Sequence, residues 1–250
     1  MNRIQSSTAE VPDARPSPET SVAATAGRYA PASERAPFAC FAPLHYEANY
    51  AYPLLIWLHG PLDSESQLKR IVPLVSLRNY VSVAPRGSRE TRCDDRLAYS
   101  WRQSEADIVL AEQRVAECVA AAGRKYHLRH DRVFLAGFDC GGSMALRLAL
   151  RQPERYAGVA SLGGAFPHGR SPLGRLNDVR RLPVFLACGR DSAAYPLSQV
   201  CDDLRLLHSA GMSVALRQYP CGQELMSHML GDLDRWMMEQ IAPVSTAADR

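Results

Sequence analysis

Seven short apolar runs punctuate this chain at intervals: "PFACFA" (37–42), "PLLIWL" (53–58), "YVSVAP" (80–85), "RVFLAGF" (132–138), "AGVASLG" (157–163), "PVFLAC" (183–188) and "SVALRQY" (213–219). Such short apolar runs read as strands, and their alternation with amphipathic stretches is the pattern of a parallel sheet. Amphipathic stretches near 104–122, 141–152, 197–210 and 224–240 separate them. In the last, Leu225, Met226, Met229, Leu230, Leu233, Trp236 and Met237 share one face at helical spacing. Strands alternating with helices predict an α/β fold, a mostly parallel, doubly wound sheet flanked by helices, which binds ligands beyond the carboxyl ends of its strands.

With 250 residues, 46% of them hydrophobic, the chain is long enough for one such domain over 37–241. Residues 1–36, rich in Ser, Thr, Pro and Ala with no periodicity, read as a disordered tail, and 242–250 as a short C-terminal tail. The 29 Lys and Arg are dispersed among 26 acidic residues for a net charge of +3, so no basic stripe exists to track phosphates and no nucleic-acid partner is expected. No apolar run approaches the ~20 residues of a membrane span. The seven cysteines form no C-x-x-C pair and their number is odd, which points to free thiols and a cytoplasmic setting. No metal or cofactor motif stands out.

The segment "VFLAGFDCGGSMAL" (133–146) passes from a strand through glycines straight into a helix. Aligned with the nucleophile-elbow pattern G-x-S-x-G, it gives Gly137-Phe138-Asp139-Cys140-Gly141, with an aspartate where the serine stands. Gly137, Gly141 and Gly142 are the residues that a tight turn and close helix packing require. Asp139 as an ordinary helix cap is the plainer reading of the same residues.

The order "LLIWLHG", "APRGS", "LAGFDCGGSMALRLAL", "LACGRDSAAYP" and "RQYPCGQEL" resembles the phospholipase/carboxylesterase group of α/β-hydrolases, which includes acyl-protein thioesterases. The resemblance implies an α/β-hydrolase fold without a large cap, since about 20 residues separate "ASLGG" from "PVFLA". It puts Asp139 at the nucleophile position, Asp191 at the acid position with Ser192 as the alternative, and Gln223 at the histidine position. Pro61 and Cys140 take the places of the two oxyanion-hole N–H donors, and Pro61 has no N–H. His59 is implied to shape the oxyanion loop from behind. His168, at the end of "GGAFPHGR", is either an accessory base or a plain loop residue, and His228 reads as solvated.

Those replacements imply an esterase homologue with an impaired triad, retaining a pocket for a small-molecule or acyl-type ligand or a partner. The alternative is a hydrolase with Asp139 as nucleophile on an ester, epoxide or similar substrate, for which "GFDCGG" has a local likeness to epoxide hydrolases and haloalkane dehalogenases. Cys140, one residue past the apex, points into the first helical turn. Residues 163–183, with Arg170, Arg175, Arg180 and Arg181, read as a flap with anion contacts or as a solvated linker.

Overall fold

The computed structural model describes residues 37–242 except 94–95 and 170–171. The tails expected over 1–36 and 242–250 therefore lie, Ala242 apart, outside the described residues, as does Arg170. In chain order the elements are β1 (Phe38–Phe41), β2 (Tyr52–Leu58), α1 (Leu68–Val75), β3 (Val81–Pro85), β4 (Arg89–Cys93), β5 (Arg96–Ser100), α2 (Glu105–Gly123) and β6 (Leu128–Phe138). They continue with α3 (Cys140–Arg151), β7 (Gly158–Leu162), α4 (Leu176–Val179), β8 (Val184–Gly189), α5 (Leu197–Ser209), β9 (Val214–Tyr219) and α6 (Ser227–Ile241).

Seven strands form one sheet in the order β1-β3-β2-β6-β7-β8-β9, with β1 antiparallel and every other neighbour parallel. All seven apolar runs became its strands. β2 shows why: Leu54, Ile56 and Leu58 point into one apolar layer, with Ile108 and Val115 of α2 and Met144 and Leu148 of α3. Leu55 and Trp57 point into the other, with Leu68 and Ile71 of α1 and Leu233 and Trp236 of α6. A strand that feeds two helical layers has no face left for polar residues.

The sequence reading did not anticipate α1 or the β4–β5 hairpin. α1 carries Pro73 internally and has no side-chain N-cap, and the hairpin is strongly charged rather than apolar. Both gain their order from neighbours. Asp63 forms a bridge with Tyr99, while Arg86 donates to both Glu65 carboxylate oxygens and lies 4.6 Å from the Tyr99 ring centroid. Between β7 and β8 the described residues hold only the four-residue α4, and no cap domain is present there. No described helix is long and apolar enough to cross a membrane.

From β2 the chain moves outward to β3, then returns to place β6 on the other side of β2. That reversal is the topological switch point, where an open α/β sheet leaves a crevice beyond its strand ends. Pro61 follows the end of β2, and Asp139 follows the end of β6.

Candidate active site

β6 runs into α3 with a single residue between them, Asp139, at φ 50° and ψ −120°. An L-residue avoids this backbone region at a cost of about 1–3 kcal/mol, so the surroundings must impose it. Two glycines do so. A methyl group on Gly141 would lie 2.3 Å from the Leu58 carbonyl oxygen, and one on Gly137 would lie 2.5 Å from the Gly141 carbonyl. One on Gly142 would meet Ser161 Oγ at 2.5 Å. The Asp139 N–H donates to the Leu162 carbonyl (2.8 Å), and its own carbonyl accepts from Ser143 N–H (3.0 Å). Asp139 stands at the N-cap position of α3, but its side chain makes no capping bond to the helix.

Its carboxylate instead meets Gln223, whose Nε2 donates to Asp139 Oδ2 at 2.7 Å and to the Gly163 carbonyl at 2.7 Å. Gln223 Oε1 accepts from Ser192 Oγ at 2.6 Å, and Ser192 Oγ in turn accepts the Tyr195 N–H at 3.1 Å. These partners fix the direction of every bond. A backbone carbonyl can only accept and a backbone N–H can only donate, so the amide has one workable orientation and both its N–H bonds are committed.

Asp139 and Gln223 are thus brought together, and Ser192 completes the row. Asp191 does not join it. Its carboxylate pairs with Arg190 (3.1 Å) on a side chain 59% exposed, and that guanidinium holds it below the usual aspartate range. The expectation that Asp191 faces Gln223 is corrected in favour of the alternative, Ser192, which is buried. The backbone decides: Arg190 N–H donates to the Tyr219 carbonyl and Asp191 N–H to the Cys221 carbonyl, which turns residue 191 outward and residue 192 inward.

The loop after β2 is held from below. His59 is fully buried, and its Nε2 accepts the Gly87 N–H (2.9 Å), which leaves the proton on Nδ1 to donate to the Gly60 carbonyl (2.7 Å). Burial pushes its pKa down, in keeping with a neutral ring whose two nitrogens are both engaged. His59 therefore shapes the loop and is not a free base. Gln67 adds a second brace: its Oε1 accepts from Trp57 Nε1 (2.7 Å) and Gly60 N–H (3.2 Å). Pro61 sits exposed at the rim with no N–H to direct inward. Cys140, which the family resemblance puts at the other oxyanion position, has a backbone N–H, and burial raises its thiol pKa to about 11, which leaves no thiolate at neutral pH.

His168 is exposed, and its carbonyl, with that of Gly169, accepts from Arg147, a buried arginine of α3 that also donates to Gln103 Oε1. The start of the 163–183 segment is an anchored strap: Ser143 Oγ donates to the Ala165 carbonyl, and the Phe166 N–H donates to buried Asp203. Arg175 and Arg180 have partners of their own, Glu154 with Asp178 for the first and the Ala210 carbonyl for the second. His228 is exposed on α6. Sequence reasoning missed Arg147 and Asp203. A charged residue inside an otherwise apolar helical face, as in "MALRLAL", was the available signal. Among the described residues no group of His, Cys, Asp and Glu is arranged to hold a metal ion.

A family model described as Phospholipase/Carboxylesterase matches residues 47–240. The chain belongs to the phospholipase/carboxylesterase family. Among curated relatives it is similar to NocK of Nocardia uniformis subsp. tsuyamanensis, an esterase by name, at 31% identity over 147 residues, covering 55% of this chain and 39% of that protein. It is similar also to a rice protein (Oryza sativa subsp. japonica) whose name marks an inactive carboxylesterase, at 26% identity over 145 residues, covering 53% of this chain and 59% of the relative. The matches thus span about two fifths of the first relative and three fifths of the second. In fold it is similar to the crystal structure of Arabidopsis thaliana SOBER1, with a TM-score of 0.65 at 20% identity over 77% of this chain and 100% of that one. The three residues joined by hydrogen bonds at the end of the sheet are Asp139, Gln223 and Ser192.

Proposed function

We propose that this carboxylesterase-family chain is an impaired hydrolase, a pseudoenzyme that binds a small or acyl-type ligand without turning it over. The observation that carries the reading is the Gln223 amide donating to Asp139. In acyl transfer the residue at this position takes the nucleophile's proton and returns it to the leaving group. An amide nitrogen has no basic lone pair near neutral pH, and both N–H bonds of Gln223 are already committed. Asp139 offers no hydroxyl to attack with, Ser192 no charge to steady an imidazolium, and Pro61 no N–H to an oxyanion. Losing one such donor alone costs about 10²–10³ in turnover.

The second reading draws support from the Asp139 side chain, which makes no capping bond at the apex of the elbow. Attack by its carboxylate would leave an ester whose hydrolysis needs a base to activate water, and Gln223 is not one. A cytoplasmic setting is part of the proposal, supported by the absence of disulfides among the six described cysteines. The test is hydrolysis of p-nitrophenyl butyrate at pH 7.5. The expected rate is that of the Asp139→Asn variant, at background. Turnover near the common ~10 s⁻¹ that disappears in Asp139→Asn would replace this reading with the aspartate nucleophile.

A further inference from the structure

We propose that the amino-terminal end of the sheet, opposite the candidate site, is a docking surface for a bilayer rich in anionic phospholipid. Basic residues that lie dispersed along the sequence are gathered there by the topology. Six segments meet the sheet at that end: 42–51, 76–80, 124–132, 152–157, 180–183 and 210–213. Together they hold eight Lys and Arg against three Asp and Glu, a charge of +5, whereas the whole chain carries +3. The rest of the molecule is therefore net acidic, and the excess positive charge sits at one end.

The strand order turns this excess into a row. Arg78 precedes β3, Arg124 and Lys125 precede β6, and Arg129 and Arg132 stand at its start. Arg155 precedes β7, and Arg180 and Arg181 precede β8. β3, β2, β6, β7 and β8 are neighbours in that order, so at about 4.8 Å per strand the row crosses about 20 Å. β6 pushes its part outward: Leu128 pairs with Tyr52 and Val133 with Leu54, so residues 129–132 bulge out opposite the single residue Pro53. Two of the three acids are already paired, Asp131 with Arg129 (2.6 Å) and Glu154 with Arg175 (2.9 Å), which leaves Glu47 against the other seven cations. Among the described residues Arg155 and Arg180 donate to neutral oxygens, of Gln152 (2.6 Å) and Ala210 (3.0 Å), and Arg78, Arg124, Arg132 and Arg181 form no salt bridge.

Apolar side chains stand at the same end. Leu44, Leu77 and Tyr50 are exposed, Tyr50 by half (51%). The Leu44 N–H donates to the Leu77 carbonyl (2.7 Å), which ties their two segments together, and the Tyr50 ring packs edge-on against Tyr52 at 4.6 Å. A single exposed leucine is ordinary. Two leucines and a half-exposed tyrosine on the end that carries unpaired cations match both parts of a lipid interface: the cations meet headgroup charge, and the tyrosine and leucines reach the boundary of the acyl region. A nucleic acid would use the cations and leave the leucines in water. Asp139 and Pro61 follow strand ends on the far side of the sheet, so the surface does not depend on the reading of that site.

Flotation of the full chain with phosphatidylcholine vesicles, with and without about 30% phosphatidylserine, tests this at pH 7.5. In about 0.1 M NaCl we expect at least about tenfold tighter binding to the anionic vesicles, lost in about 0.5 M NaCl as the charges are screened. Arg124→Gln with Arg181→Gln should weaken binding about fivefold for each charge, and Leu44→Ser at least about twofold. Arg70→Gln with Arg190→Gln removes the same charge from exposed residues at the other end of the sheet, and should change binding by less than about twofold. Equal loss in the two double variants, an unchanged affinity in Leu44→Ser, or no preference for the anionic vesicles overturns the proposal. So does displacement from the vesicles by a DNA duplex of about 20 base pairs at matched phosphate concentration, which would make nucleic acid the partner. Should a variant fail to fold, the lipid preference, its salt dependence and the duplex competition on the unaltered protein decide.

Discussion

The base of the elbow and the side chains that face one another above it have fared differently, although they lie within one small region. At the base, Gly137, Gly141 and Gly142 remain, and added methyl groups would meet backbone or Ser161 atoms at 2.3–2.5 Å. Above it, Asp139, Gln223 and Ser192 form a hydrogen-bonded row, at the proposed nucleophile, base and acid positions, and the loop after β2 carries Pro61. The glycines are fixed by the packing of β6, α3 and β2, which the whole sheet needs, so a change there costs the fold. The upper side chains answer to one another and to a few backbone groups, the Gly163 carbonyl and the Tyr195 N–H. Three polar groups that stay satisfied, as these do, meet the demands of stability whether or not they perform chemistry. On the proposed reading, fold and catalysis are separable here at a resolution of a few ångströms.

The separation breaks most visibly if chemistry can be put back on the unchanged frame. Asp139→Ser or Gln223→His alone should leave ester hydrolysis at background, because the members of such a row act as a unit. Asp139→Ser, Gln223→His and Ser192→Asp together should restore measurable turnover, about 10²–10⁴ above the same protein with Ser192 kept, the range a missing acid typically costs. An aspartate at 192 can still accept the Tyr195 N–H. If Asp139→Ser alone turns over p-nitrophenyl esters, another base reaches the elbow and the comparison fails.

A smaller effect is expected from the frame itself. Gly141→Ala should lower unfolding stability by about 3–4 kcal/mol in urea, since its methyl would meet backbone carbonyl oxygens of Leu58 and His59 at 2.3 and 2.4 Å. Gly231→Ala in α6, where nothing lies within 4 Å of the new methyl, should gain up to about 1 kcal/mol. Similar losses at both sites would show that the elbow glycines hold no special place.

The smallest effect concerns pH. His59 is held neutral with a folded pKa below its unfolded 6.5. As pH falls below 6.5 the unfolded chain takes a proton that the folded chain refuses, so stability present above 6.5 declines until the folded pKa is reached, by at most about 1.4 kcal/mol per pH unit. Urea midpoints between pH 7.5 and 5 should fall more steeply in the unaltered protein than in His59→Gln. Parallel slopes would mean that His59 takes up its proton without loss.

The sequence was sufficient for the sheet. Apolar runs of six or seven residues, spaced by amphipathic stretches, read as parallel strands; each became a strand, five of them in the interior of the sheet, while β1 is an antiparallel, partly exposed edge strand and β9 a partly exposed parallel one. The elbow was legible for a related reason: its glycines answer to local sterics, and local sterics are written locally. α1 and the β4–β5 hairpin were not legible, since Pro73 and a charged hairpin are tolerated only through contacts with residues far along the chain. Asp191 and Ser192 are the sharpest instance at the site. They are adjacent in sequence and both plausible as the acid position, and only backbone bonds to Tyr219 and Cys221, from the next strand and turn, aim one outward and the other at Gln223. Apolar periodicity records which face of an element is buried; the direction of one polar side chain in a loop is set by whichever distant carbonyls its backbone meets, and that is decided only once the chain has folded.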